Sequence, residues 1–335
     1  MSARPAPRLG FLGLGWIGLN RLKAVSASGT ARIVALADPD PEAIGRALAH
    51  APSARTACDL EALLDEPLDG VVIATPSAVH ADQARRILER GLAVFCQKPL
   101  ANSGPEAASV IAMARARDAL LGVDMSYTHA QAFQAMAHLA LNGSLGRIYA
   151  IDLLFHNAYG PDKAWYYERG ESGGGALMDL GVHLIDLAMW FLGDEQLRVE
   201  GAQLLAGGAR WSPERREVED YARVLLAGSN GAAVTLACSW RAPAGREAVI
   251  AAQLFGTAGG ARVTNVNGSF YDFTAERLVG TRTETLLATS DEWGGRAVAT
   301  WAWQLRSHPG FDPAVERHQA VLHVIDRVYA LSGRA

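Results

Sequence analysis

The segment Gly13-Leu14-Gly15-Trp16-Ile17-Gly18 is a G-x-G-x-x-G motif that follows an apolar run, Leu9–Leu14, and begins an amphipathic one, Trp16–Ser28. At such a junction of strand and helix, the first glycine permits a tight turn and the second lets backbone N–H groups approach a pyrophosphate. The third lets the helix pack closely on the strand, and the helix N-terminus favours the anion. The motif therefore predicts that these six residues bind a dinucleotide, with an ordinary strand–turn–helix as the alternative.

A carboxylate follows the next apolar run at the distance expected for a ribose contact. The run Ile33–Ala37 ends directly before Asp38, which lies twenty residues after Gly18. Asp38 can accept hydrogen bonds from the adenosine ribose and would repel a 2′-phosphate. We therefore predict NAD as the cofactor in preference to NADP.

Two short segments follow the predicted strands Gly70–Ala74 and Ala93–Cys96, at the edge of the sheet where dinucleotides bind. For His80, a solvent-facing position in the first turn of a helix is favoured over a direct role in chemistry. Lys98 is placed to hydrogen-bond a substrate hydroxyl, because Pro99 restricts it to extended conformations. The residues of these segments that we predict to contact the cofactor are Thr75, Pro76, His80, Gln97 and Lys98.

The pattern of apolar runs predicts two domains. As far as Asp124, short apolar runs alternate with amphipathic ones, which is typical of a parallel sheet covered by helices. After Tyr127, strands follow one another, which favours a largely antiparallel sheet. We therefore predict an α/β chain with an N-terminal Rossmann dinucleotide-binding domain, residues 1–127, and an α+β domain, residues 128–335, closed by a helix at 313–332.

Composition narrows the classes of partner. The chain has 335 residues, a formal net charge of −4 and no block of like charge, which argues against nucleic acid. No apolar run approaches the ~20 residues that span a bilayer, which argues against a membrane partner. Cys58, Cys96 and Cys238 show neither a pairing pattern nor metal-ligand spacing, so the expected location is a reducing cytoplasm.

The run Gly173–Asp186 reads as a flexible glycine segment followed by a helix that carries Asp179 and His183. Their four-residue spacing puts both side chains on one helical face. From spacing alone, three interpretations stay open: two satisfied polar residues, a metal site completed by Asp186, or a proton relay. The metal site is the weakest, because a lone helix lacks a second group of ligands.

Together these motifs resemble the glucose–fructose oxidoreductase/inositol dehydrogenase/rhizopine-catabolism (Gfo/Idh/MocA) family. The similarity extends over nearly the whole chain and also includes Val71–His80, Gly143–Ile148 and Phe255–Gly260. It implies a nucleotide-binding domain followed by a domain whose open sheet mediates homodimers or homotetramers. It also implies NAD(P)-linked oxidation or reduction of sugars, cyclitols or related polyols.

The resemblance further implies catalytic roles and no metal. The family's lysine falls on Lys98, its aspartate on Asp179 and its histidine on His183. His183 is then the general base for a secondary hydroxyl, Asp179 orients it, and Lys98 polarises the same oxygen while hydride passes to the nicotinamide. The family's glutamate before the lysine is Gln97 here, which removes a negative charge beside the ammonium.

Substrate contacts are expected from aromatic and hydrogen-bonding side chains that flank the predicted helix, since such groups suit a polyhydroxylated ring. They are Tyr127, His156, Lys163, Trp165 and Tyr166. Three tryptophans near the C-terminus, Trp293, Trp301 and Trp303, are predicted to lie in the core or at a subunit interface.

Three classes of function stay open. The favoured one is an NAD-dependent dehydrogenase or reductase acting on a CH–OH group. The alternatives are a glycoside-cleaving enzyme that oxidises its substrate transiently with bound NAD, and a catalytically silent NAD-binding regulator. The intact set of Lys98, Asp179 and His183 argues against the silent regulator.

Overall fold

The computed structural model describes residues 5–193, 196–288 and 290–333. The chain divides into two compact units. The first comprises residues 1–126 and 294–319, and the second comprises residues 127–293 and 320–335. The first division therefore falls one residue before the predicted boundary at 127.

The first unit is built on a six-stranded parallel sheet in the order β3-β2-β1-β4-β5-β6. This doubly wound order brings the carboxyl ends of β1 and β4 together, where such folds bind dinucleotides. Leu9, Phe11, Val72 and Phe95 fill its core. The strands are β1 (Arg8–Leu12), β2 (Arg32–Ala37), β3 (Arg55–Ala57), β4 (Gly70–Ile73), β5 (Ala93–Cys96) and β6 (Leu121–Val123). The helices are α1 (Trp16–Ser28), α2 (Pro41–Leu48), α3 (Leu60–Leu64), α4 (His80–Glu89) and α5 (Gly104–Ala116).

The described residues of the second unit form a nine-stranded sheet, and among them only the pairing of β7 (Ile148–Asn157) with β11 (Ala233–Ser239) is parallel. Its helices are α6 (Gln131–Leu141), α7 (Arg169–Ser172) and α8 (Val182–Leu192). Helices α6 and α8 pack on each other and on one face of the sheet. Its strands are β7 (Ile148–Asn157), β8 (Leu197–Ala206), β9 (Ala209–Arg210), β10 (Tyr221–Gly228), β11 (Ala233–Ser239), β12 (Ala248–Gly256), β13 (Gly259–Asn265), β14 (Phe273–Val279) and β15 (Arg282–Leu287).

The predicted fold class, a Rossmann domain followed by a largely antiparallel domain, is confirmed. The predicted strands and helices recur with ends shifted by a few residues, and α1 has the predicted bounds. The elements missed by the sequence patterns are short or polar. They are β3, α3, α7, β9, β14 and β15.

The predicted range 128–335 for the second domain is wrong over residues 294–319, which pack with the first unit. This stretch contains α9 (Arg296–Ser307). The indole of Trp301 is buried and lies 5.6 Å from the ring of Phe95, between ring centroids. The close contact of Trp301 with Gly122, where a Cβ would lie 2.8 Å from the indole, shows why a glycine stands in β6.

The remaining C-terminal predictions are met in part. Helix α10 (Arg317–Ser332) follows a 3₁₀ turn at Pro313–Glu316, so the predicted helix at 313–332 starts with a tighter turn. Trp293 and Trp301 are buried, as predicted for the core. Trp303 is 61% exposed, so of its two predicted locations the core is excluded and the subunit interface stays a prediction.

One helical stretch, Arg169–Leu192, is long and apolar enough by length and composition to cross a membrane. The expectation that no segment approaches that length counted only uninterrupted apolar runs and is corrected here. Within the second unit 83% of the apolar window is buried, as in the core helix of a globular protein.

Candidate active site

The glycine motif of the first unit forms a tight turn after β1. Gly13 has φ +89°, and a Cβ built on it would lie 2.5 Å from the carbonyl oxygen of Ala74. A Cβ on Gly18 would lie 2.1 Å from the carbonyl oxygen of Gly13. Around Gly15, by contrast, the described part of the chain places no heavy atom within 4 Å of a built Cβ. The first and third glycines therefore serve close packing, and the second keeps an open space.

That open space lies at the N-terminus of α1. Gly15 is the N-cap of the helix, and no side chain among the described residues caps it by a hydrogen bond. Trp16, the next residue, is 69% exposed. The first N–H groups of a helix have no partner within the helix, so they can bind an anion here. The arrangement fits the pyrophosphate of a dinucleotide.

Asp38, directly after β2, is tied to the glycine turn. Its Oδ2 accepts a hydrogen bond from the backbone N–H of Leu14, and its Oδ1 accepts one from Asp40 N at 2.8 Å. Each carboxylate oxygen has a second acceptor site, so these bonds leave capacity for ribose hydroxyls. The residue present therefore fits the adenosine ribose of a dinucleotide.

His80 is buried rather than solvent-facing, so the favoured sequence interpretation of this residue is wrong. The ring is 1% exposed, with Nε2 at 2.8 Å from Thr75 O and Nδ1 at 2.8 Å from Pro99 O. Burial lowers the pKa of His80, and the charge of Lys98 acts in the same direction. His80 thus links the segment after β4 to the segment after β5, which holds Lys98.

Gln97 belongs to a buried polar network of four side chains. Its Nε2 donates to Asp124 Oδ2, which is also ion-paired with the Arg21 guanidinium. Arg21 Nη2 lies 3.0 Å from Ser126 Oγ, which donates in turn to Asp124 Oδ1. A carboxylate is therefore already present beside position 97, and a neutral amide donor complements it.

In the second unit, Asp179 lies on a π-helical turn, Leu177–Gly181, and His183 on the first turn of α8. The predicted continuous α-helix is thus wrong over these five residues. Gly181 permits the wider turn, because a Cβ there would lie 2.6 Å from Leu177 Cδ1. Such turns occur frequently at functional sites.

Tyr127 packs against His183 and is within reach of the charge of Asp179. Its ring packs edge-on against that of His183 with 5.0 Å between centroids, and His183 is 9% exposed. Burial raises the pKa of Tyr127 well above its usual range, and the charge of Asp179 adds to the effect. Asp179 Oδ2 accepts a hydrogen bond from Trp240 Nε1 at 3.1 Å. The carboxylate and the imidazole therefore share one aromatic surrounding.

The other predicted substrate residues are distributed unevenly. Trp165 and Tyr166 stack with 3.8 Å between centroids, and Tyr166 meets Trp240 edge-on at 6.4 Å. Burial raises the pKa of Tyr166, with a further contribution from the charge of Asp179. These two aromatics are thereby joined to Asp179 through Trp240.

Lys163 and His156 are not brought to this cluster. Lys163 is exposed and paired with Asp162 at 3.4 Å. His156 is on β7 one residue after Phe155, whose ring contacts Tyr127. Because side chains alternate along a strand, His156 faces the other side of the sheet, where it hydrogen-bonds Ser239 Oγ at 2.7 Å.

Two residues of this site were missed in the sequence. Neither Trp240 nor Glu219 was among the predicted site residues. Glu219 is fully buried, and its carboxylate accepts hydrogen bonds at the start of the π turn. A signal was present, since the acidic pair Glu219-Asp220 directly precedes the apolar strand β10.

Among the residues that the structure describes, no group of three metal-ligating side chains forms a metal site.

Comparison with known proteins gives matches over most of the chain. The family model described as "Oxidoreductase family, NAD-binding Rossmann fold" matches residues 8–125. The model described as "GFO/IDH/MocA C-terminal domain" matches residues 133–262.

Two relatives illustrate the similarity in sequence. The dTDP-3,4-didehydro-2,6-dideoxy-alpha-D-glucose 3-reductase of Streptomyces antibioticus is 30% identical over 263 residues, 77% of this chain and 76% of the relative. The inositol 2-dehydrogenase of Rhizobium meliloti is 32% identical over 193 residues, so this match spans 57% of each protein.

A solved structure shows the same fold. The crystal structure of KijD10, a 3-ketoreductase from Actinomadura kijaniata in complex with NADP and TDP-benzene, has a TM-score of 0.84. The match covers 98% of each chain at 22% sequence identity.

The network around Gln97 predicts the effect of Gln97→Glu. A second carboxylate beside buried Asp124 would have to be ionised without a new cation, or be protonated at a cost. We expect the free energy of unfolding, measured by urea denaturation, to fall by about 1–3 kcal/mol. Gln203→Glu, at an exposed position of β8, is the matched control and should change it by less than about 0.5 kcal/mol. A Gln97→Glu variant as stable as the unmodified chain would contradict this account of the network.

Proposed function

Because this chain belongs to the GFO/IDH/MocA family of oxidoreductases, we propose that it transfers a hydride between NAD and a secondary alcohol of a sugar, cyclitol or related polyol. Family membership makes it an NAD(P)-binding dehydrogenase or reductase. The finer proposal is carried by one observation: the ring of Tyr127 packs against His183 and is within reach of the charge of Asp179, in a chain that also keeps Lys98.

The cofactor supplies the hydride acceptor or donor when it is bound. The chain's own part in this is to bind and orient it. The backbone N–H groups at the start of α1 would hold the pyrophosphate, for which there is open space at Gly15. Asp38 accepts hydrogen bonds from the ribose hydroxyls, and its charge disfavours the 2′-phosphate of NADP.

Proton transfer is assigned to the second unit. In the oxidative direction His183 takes the proton of the substrate hydroxyl, and the charge of Asp179 favours the imidazolium that forms. The indole N–H of Trp240 holds one oxygen of Asp179, which fixes the orientation of the carboxylate. The ammonium of Lys98 hydrogen-bonds the same substrate oxygen and stabilises its developing negative charge.

A polyhydroxylated ring suits the aromatic surroundings of Asp179. Trp165 and Tyr166 are partly exposed and stacked, so they offer a flat apolar surface with hydrogen-bonding edges. Relatives named for dTDP-sugars and for inositol support this substrate class.

We further propose a cytoplasmic homodimer or homotetramer that associates through the sheet of the second unit. Supporting this, the side chains of Leu154 on β7 and Leu225 on β10 are exposed, on strands whose alternate residues are buried. Light scattering in solution should give a mass of two or four chains, and a monomer mass would contradict the proposal.

The proposed reaction is tested by following NADH absorbance while NAD and the purified chain are mixed with a panel of sugars and inositols. Net NADH formation with at least one polyol is expected. Cleavage of aryl glycosides with catalytic NAD and no net NADH would instead identify a glycoside-cleaving enzyme. Inactivity in both assays, with NAD bound, would identify a regulator.

The role of His183 predicts a selective loss in His183→Ala. Loss of a general base lowers turnover by about 10²- to 10⁴-fold, so we expect kcat to fall in that range. The dissociation constant of NAD, measured by calorimetry, should change by less than about twofold, because the cofactor residues are in the other unit. His138→Ala, at an exposed position of α6, is the control. Unchanged turnover in His183→Ala would remove His183 from the mechanism.

The role of Asp38 predicts a change of cofactor preference in Asp38→Asn. The amide oxygen can still accept from Leu14 N, but the charge that repels a 2′-phosphate is lost. The ratio of NADP to NAD affinity should rise about tenfold or more, whereas Asp40→Asn on the same loop should leave it nearly unchanged. Binding of NADP by the unmodified chain as tightly as NAD would overturn the preference for NAD.

A further inference from the structure

A single residue satisfies three successive backbone N–H groups at the start of the helical segment that carries Asp179 and His183. The carboxylate of Glu219 accepts from Gly175 N at 3.1 Å and from Leu177 N at 2.9 Å. The main-chain oxygen of the same residue accepts from Ala176 N at 2.9 Å. These donors are the ones that a helix leaves without partners at its N-terminus, so Glu219 caps the segment from another part of the chain.

The glycine run is shaped to this contact. A Cβ on Gly175 would lie 1.8 Å from the carbonyl oxygen of Glu219, and one on Gly174 would lie 1.9 Å from the hydroxyl of Tyr329. The Tyr329 hydroxyl itself donates to Glu219 Oε1 at 2.9 Å. The expectation of a flexible glycine segment is therefore wrong: these glycines allow close packing, and alanines would collide with it.

Glu219 and Asp220 are connected by hydrogen bonds to both the main chain and the side chain of Asp179. Gly175 is held by Glu219, and its carbonyl oxygen accepts from Asp179 N at 3.0 Å. On the side-chain route, Asp179 Oδ2 accepts from Trp240 Nε1, and Trp240 N donates to Asp220 O at 2.8 Å. The consecutive residues Glu219 and Asp220 thus fix both the main chain and the carboxylate of Asp179.

Burial of the Glu219 carboxylate costs folding free energy. Glu219 is fully buried, and burial raises its pKa to about 7, against the hydrogen bonds from Leu177, Tyr329 and Gly175. The neighbouring Cys238 thiol, whose Sγ lies 3.4 Å from Ala176 O, has its pKa raised by burial and by the charges of Glu219 and Asp179. A buried carboxylate costs folding free energy unless its hydrogen bonds compensate, so its presence under the helix start calls for a role.

We propose that Glu219 is a positioning residue for the reaction: it sets the height and rotation of the π turn, and thereby places Asp179 and His183 against the substrate. The claim rests on the proposed function of that pair. It assigns Glu219 no contact with the substrate or the cofactor.

The test compares Glu219→Gln with Tyr329→Phe in the full chain. Glutamine keeps the shape but turns one acceptor into a donor that faces backbone N–H groups, whereas phenylalanine removes one donor and leaves the N–H contacts in place. We expect kcat to fall about 10- to 100-fold in Glu219→Gln and only a few-fold in Tyr329→Phe, since small misplacements of catalytic groups have costs of this size. The KM for NAD should stay within about twofold in both.

The outcomes are separable. A folded Glu219→Gln variant with kcat within twofold of the unmodified chain would overturn the proposal. If that variant does not fold, Tyr329→Phe decides: a lower kcat at unchanged KM for NAD supports the proposal, and an unchanged kcat overturns it.

A readout independent of activity keeps this proposal distinct from the proposed function. Hydrogen–deuterium exchange of the peptide that contains Gly175, Ala176 and Leu177 should accelerate at least tenfold in Glu219→Gln and by less in Tyr329→Phe, with no change in the peptides of α1. If exchange is faster in Glu219→Gln but the unmodified chain oxidises no polyol, only the proposed reaction is contradicted. Unchanged exchange in Glu219→Gln would contradict the capping role of Glu219.

Discussion

Each unit contains glycines at which the main chain approaches other atoms closely, and the candidate functional residues of that unit depend on this close packing. In the first unit, Gly13 and Gly18 allow the turn after β1 to press against Ala74 and against itself, which leaves the open space at Gly15. In the second unit, Gly174 and Gly175 let the start of the helical segment that carries Asp179 and His183 meet Tyr329 and Glu219. A side chain at any of these four positions would collide with neighbouring atoms. The glycines thus keep a space open at the N-terminus of α1 and let the segment that carries Asp179 and His183 pack closely on its neighbours.

The two units differ in the charged and polar groups that they offer. The cofactor side offers the N–H groups of a helix terminus and one carboxylate, Asp38, which suits a diphosphate with a free ribose. The second unit gathers Asp179, His183 and aromatic rings, and the charge of Asp179 acts on Tyr127 and Tyr166. The departure from the family at Gln97 is explained locally, because Asp124 already supplies a buried carboxylate beside it.

The sequence predicts well those structural features that depend on residues close together in the chain. The glycine motif, α1 and the order of strands and helices follow from local periodicity and turn chemistry, and the family match points to Lys98, Asp179 and His183. The burial of His80, the packing of α9 with the first unit and the capping by Glu219 depend on contacts between residues far apart in the chain. The π turn escaped prediction because its i→i+5 pattern leaves no distinct apolar period. The glycine run was predicted to be flexible because the residues that pack against it, Glu219 and Tyr329, are distant in sequence.

The most direct measurement follows the transferred hydrogen itself. The chain is incubated with NAD and with inositols and sugars that carry deuterium on their carbinol carbons, and the recovered cofactor is analysed by mass spectrometry. The account predicts one deuterium on the reduced nicotinamide for each polyol oxidised, because the hydride passes directly from carbon to the ring. Polyol consumed without deuterium in the cofactor would contradict it.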